Sequence, residues 1–333
     1  MSSTRIVPET RLMADDELSA DDAWHTLRRQ GGWHLLRDAF IRFRYGDGFS
    51  HSRAFALQLC LAVVPFLIAL TGLISELGVE EGGRVVADTV LALTPGQSEQ
   101  MVAELLGEGE RVEDAGELAL TLGLLTGLVA LTTTMAQIER GANRIYGVER
   151  DRPAVWKYLR AAVLAVTAGL PALAGFLILV AGGAVGDSVR EHYEWGEVAH
   201  GIWNVVRFPL SLGLTVLAVA VLFRRAPRRR QPGLSWLFFG AGIATALWWL
   251  ASLLLAAYVQ ISDGFGQTYG ALTGMMALLL WANLTGMALF GGLAFAAQLE
   301  ALRIGVQEPA QPDLWVPEAD RAELFDTGDM TAL

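Results

Sequence analysis

Cysteine is almost absent from this 333-residue chain. The single one, Cys60, cannot form an internal disulfide and lies in an apolar run, where it behaves as a small buried hydrophobe with no redox message. Histidine is scarce too: His25, His34, His51, His192 and His200 are scattered, with no HExxH and no close metal-ligand pair. There is no GxSxG elbow and no Walker-type glycine loop, so no catalytic residue, metal or cofactor is expected. Positive charge is in deficit. The 25 Lys and Arg against 35 Asp and Glu leave a formal charge of -10, which argues against nucleic-acid binding, because phosphate recognition draws on clustered basic residues. The N-terminal "MSSTRIVPETRLMADDELSADD" lacks the basic start and short apolar core of a cleaved signal, so the first apolar segment is expected to stay in the mature protein. No internal repeat is evident, which removes the inverted-repeat signature of many transporters.

What the chain does have is apolar residues: 53% are hydrophobic, 18% are charged, and the mean hydropathy is +0.39. A helix needs about 20 apolar residues to cross roughly 30 Å of hydrocarbon, where only its own backbone can satisfy its hydrogen bonds. Six stretches qualify, at about 54–75, 118–135, 162–185, 205–223, 234–259 and 271–298. Arginines crowd alternate connections: Arg28, Arg29, Arg37, Arg42, Arg44 and Arg53 before the first span, Arg140 to Arg160 after the second, and "RRAPRRR" at 224–230 after the fourth. The intervening connections are poor in basic residues, so the positive-inside rule places both termini in the cytoplasm. The fold expected is all-α, a polytopic integral membrane protein built as a six-helix transmembrane bundle over 46–303.

The flanks read differently. Residues 23–45 mix Trp24, Trp33, Leu36, Phe40 and Phe43 with arginine, the composition of an amphipathic helix in the headgroup layer that Gly31 and Gly32 could interrupt. Residues 81–110 carry two short amphipathic patterns split by Pro95-Gly96. Residues 1–22 and the acidic 304–333 read as disordered tails.

Within the spans, Gln58 and Pro65 are a side-chain amide and a helix breaker at membrane depth. They fit either a cavity or a kinked helix whose amide bonds a neighbour. Asn283 is the other mid-membrane amide and could complement Gln58 across the bundle. "AQIERGANRIYGVERDRP", 136–153, continues the second span as a helix with Glu139 and Asn143 at i and i+4 and Arg140 and Arg144 on an adjacent stripe. Its arginines could bind anionic headgroups or serve as an ordinary inside-positive anchor. Arg207 fits a snorkelling side chain or an anion contact at the outer side. Gly123 with Gly127, and Gly270 with Gly274, have the spacing of close helix packing.

Four of these stretches, in this order, resemble the YihY/BrkB family of bacterial inner-membrane proteins over about 45–303. The Asp47-to-Pro65 entry resembles the family's opening motif. "IERGANRIYGVERDR" resembles its signature, in which the Asn-Arg-aromatic-Gly run falls on Asn143, Arg144, Tyr146 and Gly147. Phe223 to Pro227 is similar to its aromatic-basic-Pro turn, and Tyr269-Gly270 leading to Trp281 is similar to its last span. The chain departs where the family commonly has paired tyrosines, here Leu57 and Gln58, and where it closes on Gly-Ala-Glu-Leu-Asn, here Gly292 to Ala296 with Glu300 one to two turns later. The resemblance implies an inner-membrane protein with an envelope-related transport or lipid-handling role, or a structural or regulatory one. The ribonuclease label that some members have carried is not expected to apply, since the chain offers no metal ligands or acid–base pair in water. Membrane lipids, with anionic headgroups among them, are the expected partners. Gln58, Pro65, Glu139, Asn143, Arg144, Tyr146, Arg207, Tyr269, Trp281 and Asn283 are the candidate cavity or ligand contacts.

Overall fold

The computed structural model describes residues 4–9, 19–30, 32–76, 116–193, 196–261, 273–306 and 308–311. These are helical apart from turns and short connecting segments, with one isolated β-bridge between Thr4 and Ala310 and no strand among the described residues. Numbered in chain order among them, the helices are α1 (Ala20–Gln30), α2 (Gly32–Tyr45), α3 (Gly48–Glu76), α4 (Gly116–Ile145), α5 (Ala154–Leu164), α6 (Leu170–Tyr193), α7 (Glu197–Arg225), α8 (Leu234–Ile261) and α9 (Thr273–Arg303). The wider π turn Ala165–Gly169 joins α5 to α6 without a break. Tyr269, the 81–110 patterns and residues 312–333 lie outside the described residues.

Five segments are long and apolar enough to cross a membrane: Leu120–Ile145, Ala154–Leu179, Glu197–Arg225, Leu234–Tyr258 and Met275–Arg303. They overlap the second to sixth expected spans, and α3 contains the first. Several helices overrun their apolar stretch, because a helix once nucleated propagates through Ala, Leu, Arg and Glu until a breaker stops it. Thus α4 continues through Glu139 and Arg144 to Ile145, and α5 starts directly after Pro153. Two helices end in the same way. Gly147 (φ 77°) and Gly305 (φ 87°) take the left-handed conformation, Val148 N–H donates to the Asn143 carbonyl and Val306 N–H to the Ala301 carbonyl, both at 2.8 Å. This is the Schellman closure, which satisfies carbonyls the helix end would otherwise leave bare.

The long helices pack in a ring: α4 on α3, α3 on α9, α9 on α8, α8 on α7, α7 on α6, and the π turn back against α4. Half of the apolar window of α9 is buried, against 22–28% for the other four, so α9 is the most enclosed of the five. It meets α8 backbone to backbone: a Cβ on Gly240 would stand 2.6 Å from Ala296 Cβ, and one on Gly292 would stand 2.7 Å from the Ala244 nitrogen. Gly123 seats α4 on α3 equally closely, 2.8 Å from Ala69 Cα, with Pro65 beside Gly127. Small residues therefore do the work that apolar burial cannot do between helices surrounded by lipid. The outward faces carry exposed Leu124, Leu125 and Val129 on α4 and Leu253 and Leu254 on α8, a surface suited to hydrocarbon.

In place of one helix over 23–45, the chain forms α1, which ends at Gln30, and α2, which starts at Gly32. α2 turns Leu35, Ala39, Arg42 and Phe43 inward, where it packs on α9, and leaves Trp33, Leu36 and Phe40 exposed.

Candidate functional site

At one end of the ring, the ends of α2, α4, α7 and α9 and the starts of α5 and α8 enclose a floor of buried charge. Glu139 and Asn143, one turn apart on α4, both point inward and are fully buried, while Arg140 on the neighbouring stripe is exposed. Glu139 pairs with Arg152, Oε2 to Nη1 at 2.9 Å, and the Arg152 fork also donates to the Ala226 and Pro227 carbonyls at 2.9 and 2.8 Å. Asn143 works in both directions. Its Nδ2 donates to Asp151 at 2.9 Å, and its Oδ1 accepts the Arg228 backbone N–H at 2.7 Å, which joins the 146–153 connection to the 226–233 connection. Lys157 Nζ meets the other oxygen of Asp151 at 2.9 Å. Burial by itself raises the Asp151 carboxyl, but the hydrogen bonds from Asn143 and Lys157 and the charges of Lys157 and Arg140 outweigh it and hold it below its ordinary 3.8.

The second half of the floor lies under α9. Glu300 is fully buried and takes a two-pronged contact from Arg229, at 3.0 and 2.6 Å, the fork geometry that suits guanidinium to carboxylate. Arg229 also donates to the Pro8 carbonyl at 2.8 Å and stacks over the Tyr146 ring, 4.5 Å from its centroid. Burial, followed by the negative charge of Glu300, pushes the Tyr146 phenol above its usual value. Arg42, fully buried at the end of α2, donates Nε to Gln298 at 2.8 Å and Nη1 to the Arg5 and Ile145 carbonyls at 3.0 and 3.1 Å. Desolvation lowers this guanidinium to about 10, which leaves it charged at neutral pH.

Residues 4–9 lie across the floor as a strap. Thr4 Oγ1 donates to the Arg144 carbonyl at 2.6 Å, Val7 N–H to the Tyr146 carbonyl at 3.2 Å, and Arg5 pairs with Glu308 beside the Thr4–Ala310 bridge. Gly147 makes room for this strap: a Cβ there would stand 2.8 Å from Ile6 Cα.

Glu139, Asn143 and Tyr146 are thus brought together, Arg144 reaches the floor only through its carbonyl while its Nη1 donates to the Glu149 carbonyl at 3.2 Å, and the other described candidates lie elsewhere. Gln58 accepts from Thr133 of α4 at 3.0 Å and does not pair with Asn283, whose Oδ1 is buried without a hydrogen bond among the described residues. Trp281 donates to Ser252 at 3.2 Å within an aromatic cluster with Phe176 and Trp248. Arg207 lies 18 residues before Arg225 on α7, about 27 Å along the helix, and stacks on Phe208. Arg42, Asp151, Arg152, Arg229 and Glu300 complete the floor without standing among the expected contacts, although Asp151 and Arg152 close the signature stretch and Glu300 follows the closing motif. Arg42 had a readable signal, since it falls on the Leu35–Ala39 face of α2 with the apolar residues.

The putative ribonuclease-like protein YfkH of Bacillus subtilis is 24% identical over 258 residues, 78% of this chain and 92% of that one. A UPF0761 membrane protein of Chromohalobacter salexigens is 27% identical over 292 residues, 85% of this chain and 66% of that one. Another, of Alteromonas mediterranea, is 29% identical over 180 residues, 54% of this chain and 58% of that one. The matches therefore span about two thirds or less of these two UPF0761 relatives. No solved structure matches. The family described as Virulence factor BrkB matches residues 39–316, from within α2 past the strap's partner segment, and this chain belongs to that family of membrane proteins.

Proposed function

We propose that this protein is a six-span protein of the bacterial inner membrane, with α3 as the sixth span and both termini cytoplasmic, that acts in envelope-related transport or lipid handling. The buried charge floor is its cytoplasmic closure. One observation carries this reading: Arg229–Glu300 and Glu139–Arg152 are buried ion pairs at the mouth of an apolar ring, formed between helix ends and connections. Such groups are expensive in a membrane bundle and are retained where they line a path or form a switch. Pairs between separate elements can part and re-form as those elements move. The arginine-rich connections converge at this end, which is the basis for placing it inside.

The test uses the full chain in proteoliposomes holding fluorescent phosphatidylglycerol in both leaflets, with an external quencher to read exchange between leaflets. Wild type should exceed protein-free vesicles, and Arg229→Met/Glu300→Met, which removes the pair without leaving a lone charge, should change the rate further. Exchange equal to protein-free vesicles for both proteins would defeat the lipid form of the reading.

The name of the Bacillus relative is not carried over to this chain. Glu139, Asp151 and Glu300 are each held by a cation, two of them fully buried, whereas a nuclease needs carboxylates open to water and metal. These three carboxylates therefore do not support a nuclease reading of the floor. A structural or regulatory role is the second reading, favoured by the Thr4–Ala310 bridge, which ties the strap to the segment that follows α9. Deleting residues 312–333 would leave bundle-borne transport intact and abolish a scaffold function.

A further inference from the structure

Beside the floor, the start of α5 and the end of α7 enclose a groove of about 580 Å³. Its lining is of two kinds. Trp156, Leu159 and Val163 recur at i, i+3 and i+7 on one face of α5, and they are 66%, 56% and 47% exposed, so this face looks away from the bundle. Arg152, Arg160 and Arg225 supply the charge. They are engaged to different degrees. Arg152 is neutralised by Glu139 and held by two carbonyls. Arg160 commits only its Nε, to the Arg225 carbonyl at 3.1 Å, and the Arg225 guanidinium makes no hydrogen bond or ion pair with any described residue. Three guanidinium groups therefore share one carboxylate, and the two exposed ones repel each other across the mouth of the groove.

We propose that this groove binds an anionic phospholipid, its phosphate between Arg160 and Arg225 and an acyl chain along Trp156, Leu159 and Val163. Guanidinium forks match phosphate oxygens, and an uncompensated pair of them attracts a dianionic or monoanionic headgroup at the membrane surface. The apolar wall selects the lipid source over free phosphate, since a soluble anion would leave that face of α5 uncovered. Trp156 lies one turn before Arg160, near the start of α5, and an indole ring is favoured at headgroup level. The site is separate from the floor in its side chains, apart from Arg152, and does not require that the floor move. It rests on the preceding reading only in placing this end at the membrane surface.

The experiment takes the full chain in phosphatidylcholine nanodiscs doped with phosphatidylglycerol and counts retained lipid by native mass spectrometry. Phosphatidylglycerol should be retained over phosphatidylcholine, and Arg160→Gln/Arg225→Gln should weaken retention roughly 30-fold, about fivefold for each arginine. Arg224→Gln, outside the groove, should leave retention unchanged, and Trp156→Ser should reduce it. Should the double variant melt early, Arg160→Lys/Arg225→Lys keeps the charge and should cost retention a few-fold through loss of the fork. Equal retention by wild type and a normally melting Gln variant overturns the proposal. So does inorganic phosphate that displaces the lipid at millimolar concentration and binds as well to Trp156→Ser, which would make the groove a soluble-anion site. Nanodiscs expose both faces, so binding is read whatever the sidedness. Labelling of Arg224→Cys from outside intact cells would sink the cytoplasmic placement alone.

Discussion

At the scale of single residues, the Arg229–Glu300 pair has the largest energetic consequence. Both side chains are almost wholly buried, so removing one leaves the other charged with no water to take its place. Glu300→Ala should destabilise by about 3–5 kcal/mol. Arg229→Met/Glu300→Met should cost far less than the sum of the two single changes, as read by thermal melting in nanodiscs. Asp151 gives the pH dependence. Its carboxyl is held below 3.8 in the folded protein, so the stability it contributes is complete above that value and is lost as pH falls through the folded one. Between pH 6 and pH 3 the wild-type melting temperature should therefore fall further than that of Asp151→Asn, which has no proton to take up. Equal slopes would remove Asp151 as the acid-sensitive tie.

Among the elements, the helix ends carry more specificity than the helix middles. Gly147→Ala forces an L side chain into the left-handed region and brings its Cβ against Ile6, at an expected cost of about 1–2 kcal/mol. The same change should speed hydrogen exchange at residues 5–7, because the strap must shift. Five of the six expected spans were legible because an apolar run of 20 residues has few other uses, and α4 was legible past its run because Glu139 and Asn143 repeat at helical spacing. Glu300 was visible as a glutamate after the closing motif, but its pairing with Arg229 was not. Near a span, an arginine reads as an orientation charge, and what makes Arg229 structural is a partner 71 positions away. Arg42 meets Gln298 across 256 positions, a separation at which local periodicity says nothing. Gln58 left two readings open, a cavity or a bond to a neighbouring helix, and its amide oxygen accepts from an ordinary hydroxyl of the next helix.

On the scale of the whole molecule, the ring is asymmetric in chemistry. Apolar faces and small-residue contacts extend along its length, while at one end paired charges tie α2, α4, α5, the 226–233 connection and α9 into one network. Removing residues 1–9 takes away the Arg5 and Pro8 carbonyls from Arg42 and Arg229 and should lower stability by about 1–3 kcal/mol without unfolding the bundle. An unchanged melting temperature would mean that solvent replaces the strap at no cost. The strap also sets an order of events. Residues 4–9 leave the ribosome before any of the helices, yet the Pro309 carbonyl and Glu308 that hold Arg5 are synthesised some three hundred residues later. Thr4 and Val7 can dock on Arg144 and Tyr146 as soon as α4 exists, whereas the half of the floor built on Gln298 and Glu300 cannot close until α9 has been made.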